Sequence, residues 1–150
     1  MATTTTSVNA CDADIRLDNA DGDPINVSGS TNSVVMNFDH QIGDFRVFQD
    51  KWPVRLACGK DAAFTLNVVY DSTAATTAFG LLRDWFFTAT PGLRTLAIYI
   101  PDKEAGSDHY YGEMHIANLN WTADSSEPGA IAVTAELLPS GEVTLDTAGT

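Results

Sequence analysis

Hydrophobic and polar residues alternate along most of the chain, which is the pattern of β-strands with two different faces. Val34, Met36 and Phe38 fall on one face of a predicted strand, and Asn37 and Asp39 fall on the other. The same period of two recurs over residues 15–17, 52–56, 64–70 and 131–137, and residues 93–100 and 110–122 are predicted as further strands. Such alternation favours antiparallel strands that have one face against a core.

Two short segments interrupt this pattern in the first half of the chain. Residues 41–43 are predicted to end the strand that holds Phe38, so that Phe45 and Val47 begin another. The Cys-Gly-Lys-Asp sequence of residues 58–61 is typical of a hairpin turn. The pattern therefore predicts several short strands here.

One segment has the period of a helix. Apolar residues recur at spacings of three and four at Ala75, Ala78, Phe79, Leu82 and Phe86. This spacing predicts an amphipathic helix over about residues 73–87, capped by side-chain oxygens of residues 71–73. We expect this helix to cover an open face or end of the sheet.

About eight strands and one helix predict a mainly β fold. The expected architecture is an antiparallel β-sandwich or rolled barrel with one flanking helix. A length of 150 residues corresponds to one domain. The polar ends, residues 1–10 and 143–150, are predicted to be flexible arms. We expect neither a secretory leader nor a membrane-spanning segment.

The charge is strongly negative and unevenly distributed. The formal net charge is −12, and no Lys or Arg follows Lys103, whereas eight acidic residues do. This balance disfavours direct binding to nucleic acid phosphates or anionic membranes, because both need basic patches. An acidic surface also keeps soluble proteins apart.

The acidic residues and the tryptophans leave a binding module as an alternative. Five aspartates lie between Asp12 and Asp23, and carboxylates are good calcium ligands, but their spacing does not match a calcium-binding EF-hand loop. Trp52, Trp85 and Trp121 could contact carbohydrate. The alternative function is therefore an acidic β-sandwich that binds calcium or carbohydrate.

Enzyme motifs are not found. Glu113 and His115 share a strand face and could hold a metal or transfer a proton, yet no third ligand lies nearby in sequence. Cys58 has no histidine close in sequence to activate it. The chain has no nucleophile-elbow or phosphate-binding glycine motif. We expect no catalytic site and no cofactor.

Five short runs occur in a recognisable order between residues 69 and 141, namely Val69-Tyr70-Asp71-Ser72-Thr73, Leu81-Leu82-Arg83-Asp84-Trp85-Phe86, Ile100-Pro101-Asp102, Tyr110-Tyr111-Gly112-Glu113 and Pro139-Ser140-Gly141. With the elements around them, they resemble the tail tube (major tail) protein of siphovirus-type bacteriophages and related phage-like tails. The resemblance covers roughly residues 24–141 and rests on the order of elements.

The resemblance implies a fold and a mode of assembly. Such proteins have a β core with a flanking helix, six copies pair strands into a ring, and rings stack into a tube through which DNA passes. A long hairpin near the start commonly bridges the rings, and its best match here is residues 30–48. The family has no catalytic residues, and its partners are tail terminator, tape measure and distal tail proteins.

The resemblance also suggests a use for the acidic surplus. An acidic channel would let DNA slide, because it does not attract the phosphates. From their strand positions we expect four acids to face the channel, namely Asp39, Asp44, Glu113 and Glu136. The expected location is the tail of a virion that is assembled in the cytoplasm of a bacterial host.

Overall fold

The structure is a computed structural model, and the part of the chain that it describes contains eight strands and one α-helix. The described residues are 10–49, 51–71, 77–88, 92–101, 106–123, 125–126, 129 and 131–147. The elements are β1 (Asp14–Asp18), β2 (Pro24–Asn26), β3 (Thr31–Phe45), β4 (Val54–Val69), α1 (Ala78–Phe87), β5 (Arg94–Ile100), β6 (Asp108–Trp121), β7 (Ala132–Pro139) and β8 (Thr144–Thr147). No helix in these ranges combines the length and apolarity that a membrane crossing requires.

The strands form one sheet in the order β2-β1-β5-β6-β7-β4-β3, and every pairing is antiparallel. The eighth strand, β8, pairs with the first residues of β6, next to the stretch of β6 that pairs with β7. The prediction of a mainly β fold with one flanking helix is confirmed.

One face of this sheet forms the core. On β4 the side chains of Ala62, Phe64, Leu66 and Val68 are buried, and the residues between them are not. Buried residues of β1, β5, β6 and β7 join the same cluster, together with α1. We call this side of the sheet the core face and the opposite side the outer face.

The sheet curves around the core. The rings of Phe38 on β3 and Tyr110 on β6 lie 6.3 Å apart between centroids, although β4 and β7 separate these strands. In a flat sheet three strand spacings amount to about 14 Å, so the contact requires curvature. A rolled sheet is one of the two architectures that the sequence predicts.

The helix begins later than the sequence pattern predicts. Its N-cap is Thr77, whose side chain accepts a hydrogen bond from the Gly80 backbone, and the first turn also donates from the Ala78 backbone to Ser30 Oγ at 2.9 Å. The predicted capping residues 71–73 are therefore not the cap; residues 72–76 lie outside the described residues. Two hydroxyls stabilise this helix start.

The two predicted breaks in the first half are wrong, because both segments lie inside long strands. β3 runs without interruption through Gln41 and Gly43 to Phe45, and β4 runs through residues 58–61. A register shift occurs where Gln41 pairs with Gly59 and Ile42 pairs with Ala57, so that Cys58 is an extra residue. This β-bulge takes up the irregularity that the sequence pattern assigned to a turn.

The long hairpin is therefore β3 and β4 with a connection that starts at Arg46. It is longer than the match expected at residues 30–48, because the second strand extends to Val69. At the other end of the chain, the segment predicted as a flexible arm contains β8. Residues 1–9 and 148–150 lie outside the described residues, so the prediction of flexible arms stays a prediction there.

Leu66 and Leu56 provide a matched test of where the core ends on β4, since Leu66 is fully buried and Leu56 is 59% exposed. We expect Leu66→Ala to lower the free energy of unfolding by about 2–5 kcal/mol through lost burial and a cavity. Leu56→Ala should change it by less than about 0.5 kcal/mol. Urea unfolding of the unassembled protein measures both, and equal losses would contradict this placement of the core.

Candidate assembly surfaces

The two edge strands of the sheet differ greatly in length. β3 has 15 residues and lies at one edge, whereas β2 has three residues and lies at the other. Among the described strands, β3 pairs with β4 alone. Its other side therefore presents a long row of backbone groups, and such an edge is a template for pairing with another strand.

The outer half of the β3–β4 hairpin extends beyond the core. Buried positions on β4 end at Ala62, and residues 54–61 are exposed apart from the partly exposed Gly59. Several large apolar side chains are at least 43% exposed here, namely Ile42, Phe45, Val47, Phe48, Trp52, Val54 and Leu56. Exposed apolar side chains in this number are typical of a contact site with another molecule.

The bulge at Cys58 decides which face each hairpin side chain occupies. Beyond it, Phe45 pairs with Val54 and Gly43 with Leu56. Because β3 itself alternates regularly, Phe45 lies on the same face as Asp39, which is the outer face. The hairpin thus places apolar side chains on a face that is mainly polar in the rest of the sheet.

The structure brings three of the four predicted acids to one face. Asp39, Glu113 and Glu136 are exposed on the outer face of β3, β6 and β7. Glu136 pairs with Thr65 and Asn118 in register, so it lies near the middle of the sheet.

The fourth predicted acid, Asp44, is exposed but lies on the opposite face. It is five residues from Asp39, with no inserted residue on β3 between the two, and it is opposite Arg55 in register. By contrast, Asp39 is directly opposite Asp61, so two carboxylates face each other across the strands. The predicted site is therefore three acids on one face and one on the other.

Side-chain hydrogen bonds connect the outer face across strands. Asn67 Nδ2 donates to Ser33 Oγ at 2.8 Å, and Thr134 Oγ1 donates to Asn67 Oδ1 at 2.9 Å. These bonds join β3, β4 and β7. Cross-strand bonds of this type hold polar side chains in fixed positions, so this part of the outer face is an ordered polar wall.

The outer face between β5 and β3 has acidic side chains but no Lys or Arg before the bulge. From β5 across to β3, up to the bulge, strand alternation assigns to the outer face Asp39, Asp61, Glu113 and Glu136 and no Lys or Arg. All residues of these strands are described. The nearest base on this face is Arg16 of β1, whose Nε lies 3.0 Å from Asp14 Oδ1. Three of these acids were predicted from the sequence. The lack of Lys and Arg beside them could be recognised only from the strand register.

The residues considered for catalysis and calcium binding lie apart. Glu113 and His115 are exposed on the outer face of β6. In the described part of the chain no group of three or more His, Cys, Asp or Glu side chains is placed to hold a metal ion. Around Asp21 and Asp23, the Asn19 side chain accepts hydrogen bonds from both backbone amides, and this forms the β1–β2 turn.

The tryptophans proposed for carbohydrate binding have different environments. Trp85 is buried and donates a hydrogen bond from Nε1 to the Gly92 carbonyl at 2.7 Å. Trp121 packs edge-on against Phe79. Trp52 is 82% exposed on the hairpin. They do not form one aromatic platform.

Two ionisable groups near the β1–β2 turn have shifted pKa values. Partial burial raises the pKa of the Asp18 carboxyl, against hydrogen bonds from Thr95 that lower it. Burial lowers the pKa of the Arg94 guanidinium, and the charges of Asp84 and Asp18 oppose that shift. The turn, the start of β5 and α1 thus meet in a partly buried, charged junction.

Comparison with solved structures identifies the fold. A chain in the tail of an empty gene transfer agent particle, solved with C6 symmetry, aligns with a TM-score of 0.73 at 17% identity over 93% of this chain and 99% of that one. A chain in the six-fold symmetrised baseplate of the anti-feeding prophage gives 0.74 at 9% identity, with all of both chains covered. The SPP1 tail tube subunit gives 0.72 at 8% identity over 96% of this chain and 80% of that one.

These likenesses establish that the chain has the fold of subunits in phage and phage-like tails, and they confirm the resemblance inferred from the sequence at the level of the fold. No protein-family model matches the sequence, and no curated protein matches it significantly. Identities of 8–17% in these three alignments mean that the fold is shared without detailed sequence similarity.

Asp39 and Asp44 allow a test of the assigned register on one hairpin. Asp39→Asn removes a carboxylate that faces Asp61, and it should raise the free energy of unfolding by a few tenths of a kcal/mol. Asp44→Asn removes a charge opposite Arg55 and should lower it by a similar amount. Urea unfolding at low salt measures both. Changes of the same sign in the two variants would contradict the register.

Proposed function

We propose that this chain is the structural subunit of a phage-type tail tube, that it assembles with copies of itself, and that it is not an enzyme. The observation that supports this most is the likeness to tail components over 93–100% of the chain. The proposal places the protein in the tail of a virion that is assembled in the cytoplasm of a bacterial host.

In this proposal, copies pair edge to edge into a ring. The long free edge of β3 supplies backbone donors and acceptors, and a ring satisfies every such edge with a neighbour's strand. Six copies per ring agree with the six-fold symmetry of two of the structural neighbours. A closed ring would also leave no β3 edge free to pair with a further copy, so that edge pairing would stop at a defined number of subunits.

The outer face lines the channel of the proposed tube. Its acids, Asp39, Glu113 and Glu136, repel the phosphates of DNA, and no Lys or Arg of β3 to β7 lies beside them before the bulge. DNA would therefore pass through the tube without being held. Asp44 is proposed instead to lie on the hairpin that bridges one ring to the next.

The tube needs proteins at its two ends and within it. A terminator, a distal tail protein and a tape measure protein are the proposed partners. One of the structural neighbours is the cap that terminates the anti-feeding prophage tube, and its chain aligns with a TM-score of 0.73 at 10% identity. This likeness supports the proposal that a protein of the same fold closes an end of the tube.

Electron microscopy of the purified protein over a range of concentrations tests the assembly. We expect rings and stacked tubes with a central channel, whose fraction increases with protein concentration, because edge pairing is intermolecular. Analytical ultracentrifugation provides the matching mass. A protein that remains strictly monomeric at high concentration in every buffer would overturn the proposal.

Charge reversal on the outer face tests the channel. Tubes of Glu113→Lys/Glu136→Lys should retain short linear duplex DNA, and the retention should weaken steeply with salt, whereas wild-type tubes should retain none. Asp108→Lys/Glu142→Lys changes the same charge away from that face and is the control. Closed circular DNA cannot thread a tube, so equal retention of circular and linear DNA by the first variant would show that these residues lie outside the channel.

A further inference from the structure

The turn between β1 and β2 contains the single Asp-Gly dipeptide of the sequence. Asp21 and Gly22 lie between the end of β1 and the start of β2, and both are exposed. Every other aspartate in the sequence precedes a residue larger than glycine. The difference matters because the residue after an aspartate decides how readily the backbone can attack the aspartate side chain.

That attack changes the backbone without any enzyme. The backbone nitrogen of Gly22 forms a bond to Cγ of Asp21, one water leaves, and a five-membered succinimide ring results. Water then adds to one of the two ring carbonyls and reopens the ring. Opening at one carbonyl regenerates aspartate, and opening at the other gives isoaspartate, in which the main chain runs through the side-chain carboxyl. Glycine favours ring closure because it has no side chain beside the attacking nitrogen.

Asn19, the residue directly after β1, holds this turn through its backbone and its side chain. Its Oδ1 accepts hydrogen bonds from the backbone amides of Asp21 and Asp23, both at 2.9 Å. Its carbonyl oxygen accepts one from the Gly22 amide at 3.2 Å, and its own amide donates to the Asp23 carbonyl at 2.9 Å. Asparagine side chains commonly stabilise turns in this way. All three amides of residues 21–23 are therefore bound by one residue.

The hydrogen bond from the Gly22 amide opposes ring closure. The nitrogen must give up its proton as it attacks Cγ, whereas in the structure it donates that proton to the Asn19 carbonyl. Gly22 also has a φ of 85°, a left-handed conformation that the closed turn requires. The hydrogen bond must break before the ring can close, so the reaction requires the turn to open locally.

We infer that Asp21-Gly22 is a site of spontaneous isoaspartate formation and that Asn19 sets the rate by holding the turn closed. Asn19 is a positioning residue here, since it keeps the attacking nitrogen in a hydrogen bond and takes no part in the covalent steps. The inference does not depend on the proposed tube.

Isoaspartate would lengthen the main chain of the turn by one carbon atom, next to a packed region. The pairing of β2 with β1 has Pro24 opposite Asp18, directly beside the turn, so a longer turn disturbs that register first. Two cavities of about 240 Å³ and 230 Å³ flank the turn, and Arg94 lines both. Arg94 also donates to the Leu81 carbonyl at 3.3 Å and lies over the Trp85 ring. The modification should therefore loosen the packing of the turn against β5 and α1.

Ageing of the purified, unassembled protein at neutral pH and physiological temperature tests the inference. Enzymatic methylation counts isoaspartate, and ageing in heavy-oxygen water locates it, because ring opening adds one heavy oxygen to the peptide that contains Asp21. We expect the signal at Asp21. Asp21→Glu should abolish it, because a five-membered ring can no longer form.

Substitution of Asn19 tests its role. Asn19→Ala removes two side-chain hydrogen bonds from the turn and should speed isoaspartate formation by about threefold or more, because bonds of ordinary strength then no longer oppose opening. Asn19→Asp keeps an acceptor oxygen at the same position and should stay within about twofold of the wild-type rate.

Asn26→Ala is the matched control. Asn26 Oδ1 accepts a hydrogen bond from the Ser28 amide at 2.9 Å, just after β2 and away from the dipeptide. Its loss should leave the rate unchanged. Thermal unfolding verifies that each variant is folded. A peptide of residues 16–26 measures the reaction without the fold and should react faster than the folded wild type.

Acceleration in Asn19→Ala alone supports the inference. Equal rates in Asn19→Ala and wild type, or an equal acceleration in Asn26→Ala, show that Asn19 does not set the rate and overturn it. Heavy oxygen at other aspartates in place of Asp21 overturns the site itself. If Asn19→Ala does not fold, the peptide decides, since equal rates in the peptide and the folded wild type also overturn the inference.

Discussion

The pairing of β3 with β4 is the interaction on which the rest of the structure depends. The inner half of β4 supplies Phe64, Leu66 and Val68 to the core, and the outer half extends past it with exposed apolar side chains. One continuous ladder thus joins a folded domain to a projection that has no core beneath it. Backbone pairing joins the two strands of that projection, and an isolated hairpin is marginally stable in water. Contact with another molecule would stabilise it.

The sequence pattern identified the strands whose two faces differ and missed features that depend on a partner strand. Alternation over residues 64–70 correctly predicts the buried side of β4, because burial there follows the period of two. The bulge at Cys58 was not predictable, since Gly59 is equally compatible with a turn and with a strand. Thr77 was missed as a cap because its role depends on where the chain turns back toward Ser30. β8 was missed because four residues are too few to show a period.

The same limitation explains why three of the four predicted acids share the outer face and Asp44 does not. Strand periodicity correctly predicts that an acid is exposed to solvent. Which face of the sheet the acid occupies follows only from counting residues from a known core position, and an inserted residue changes that count. Glu113 and Glu136 are close to buried Met114 and Leu137, so their face is determined. Asp44 is beyond the predicted interruption at residues 41–43, and its face could be assigned only when β3 proved continuous.

Charge and sheet geometry together limit how such a chain can assemble. A subunit with a formal charge of −12 is repelled by its copies, so contacts must be short-range, apolar or locally opposite in charge. Backbone pairing at the β3 edge is short-range and independent of side-chain charge. Residues 45–60 of the hairpin, which hold four of the eight basic residues, are the part of the chain where the sign reverses. They lie at the end of the strands away from the β1–β2 turn. A contact made through these basic residues would weaken with salt, whereas backbone pairing at the β3 edge would be affected less.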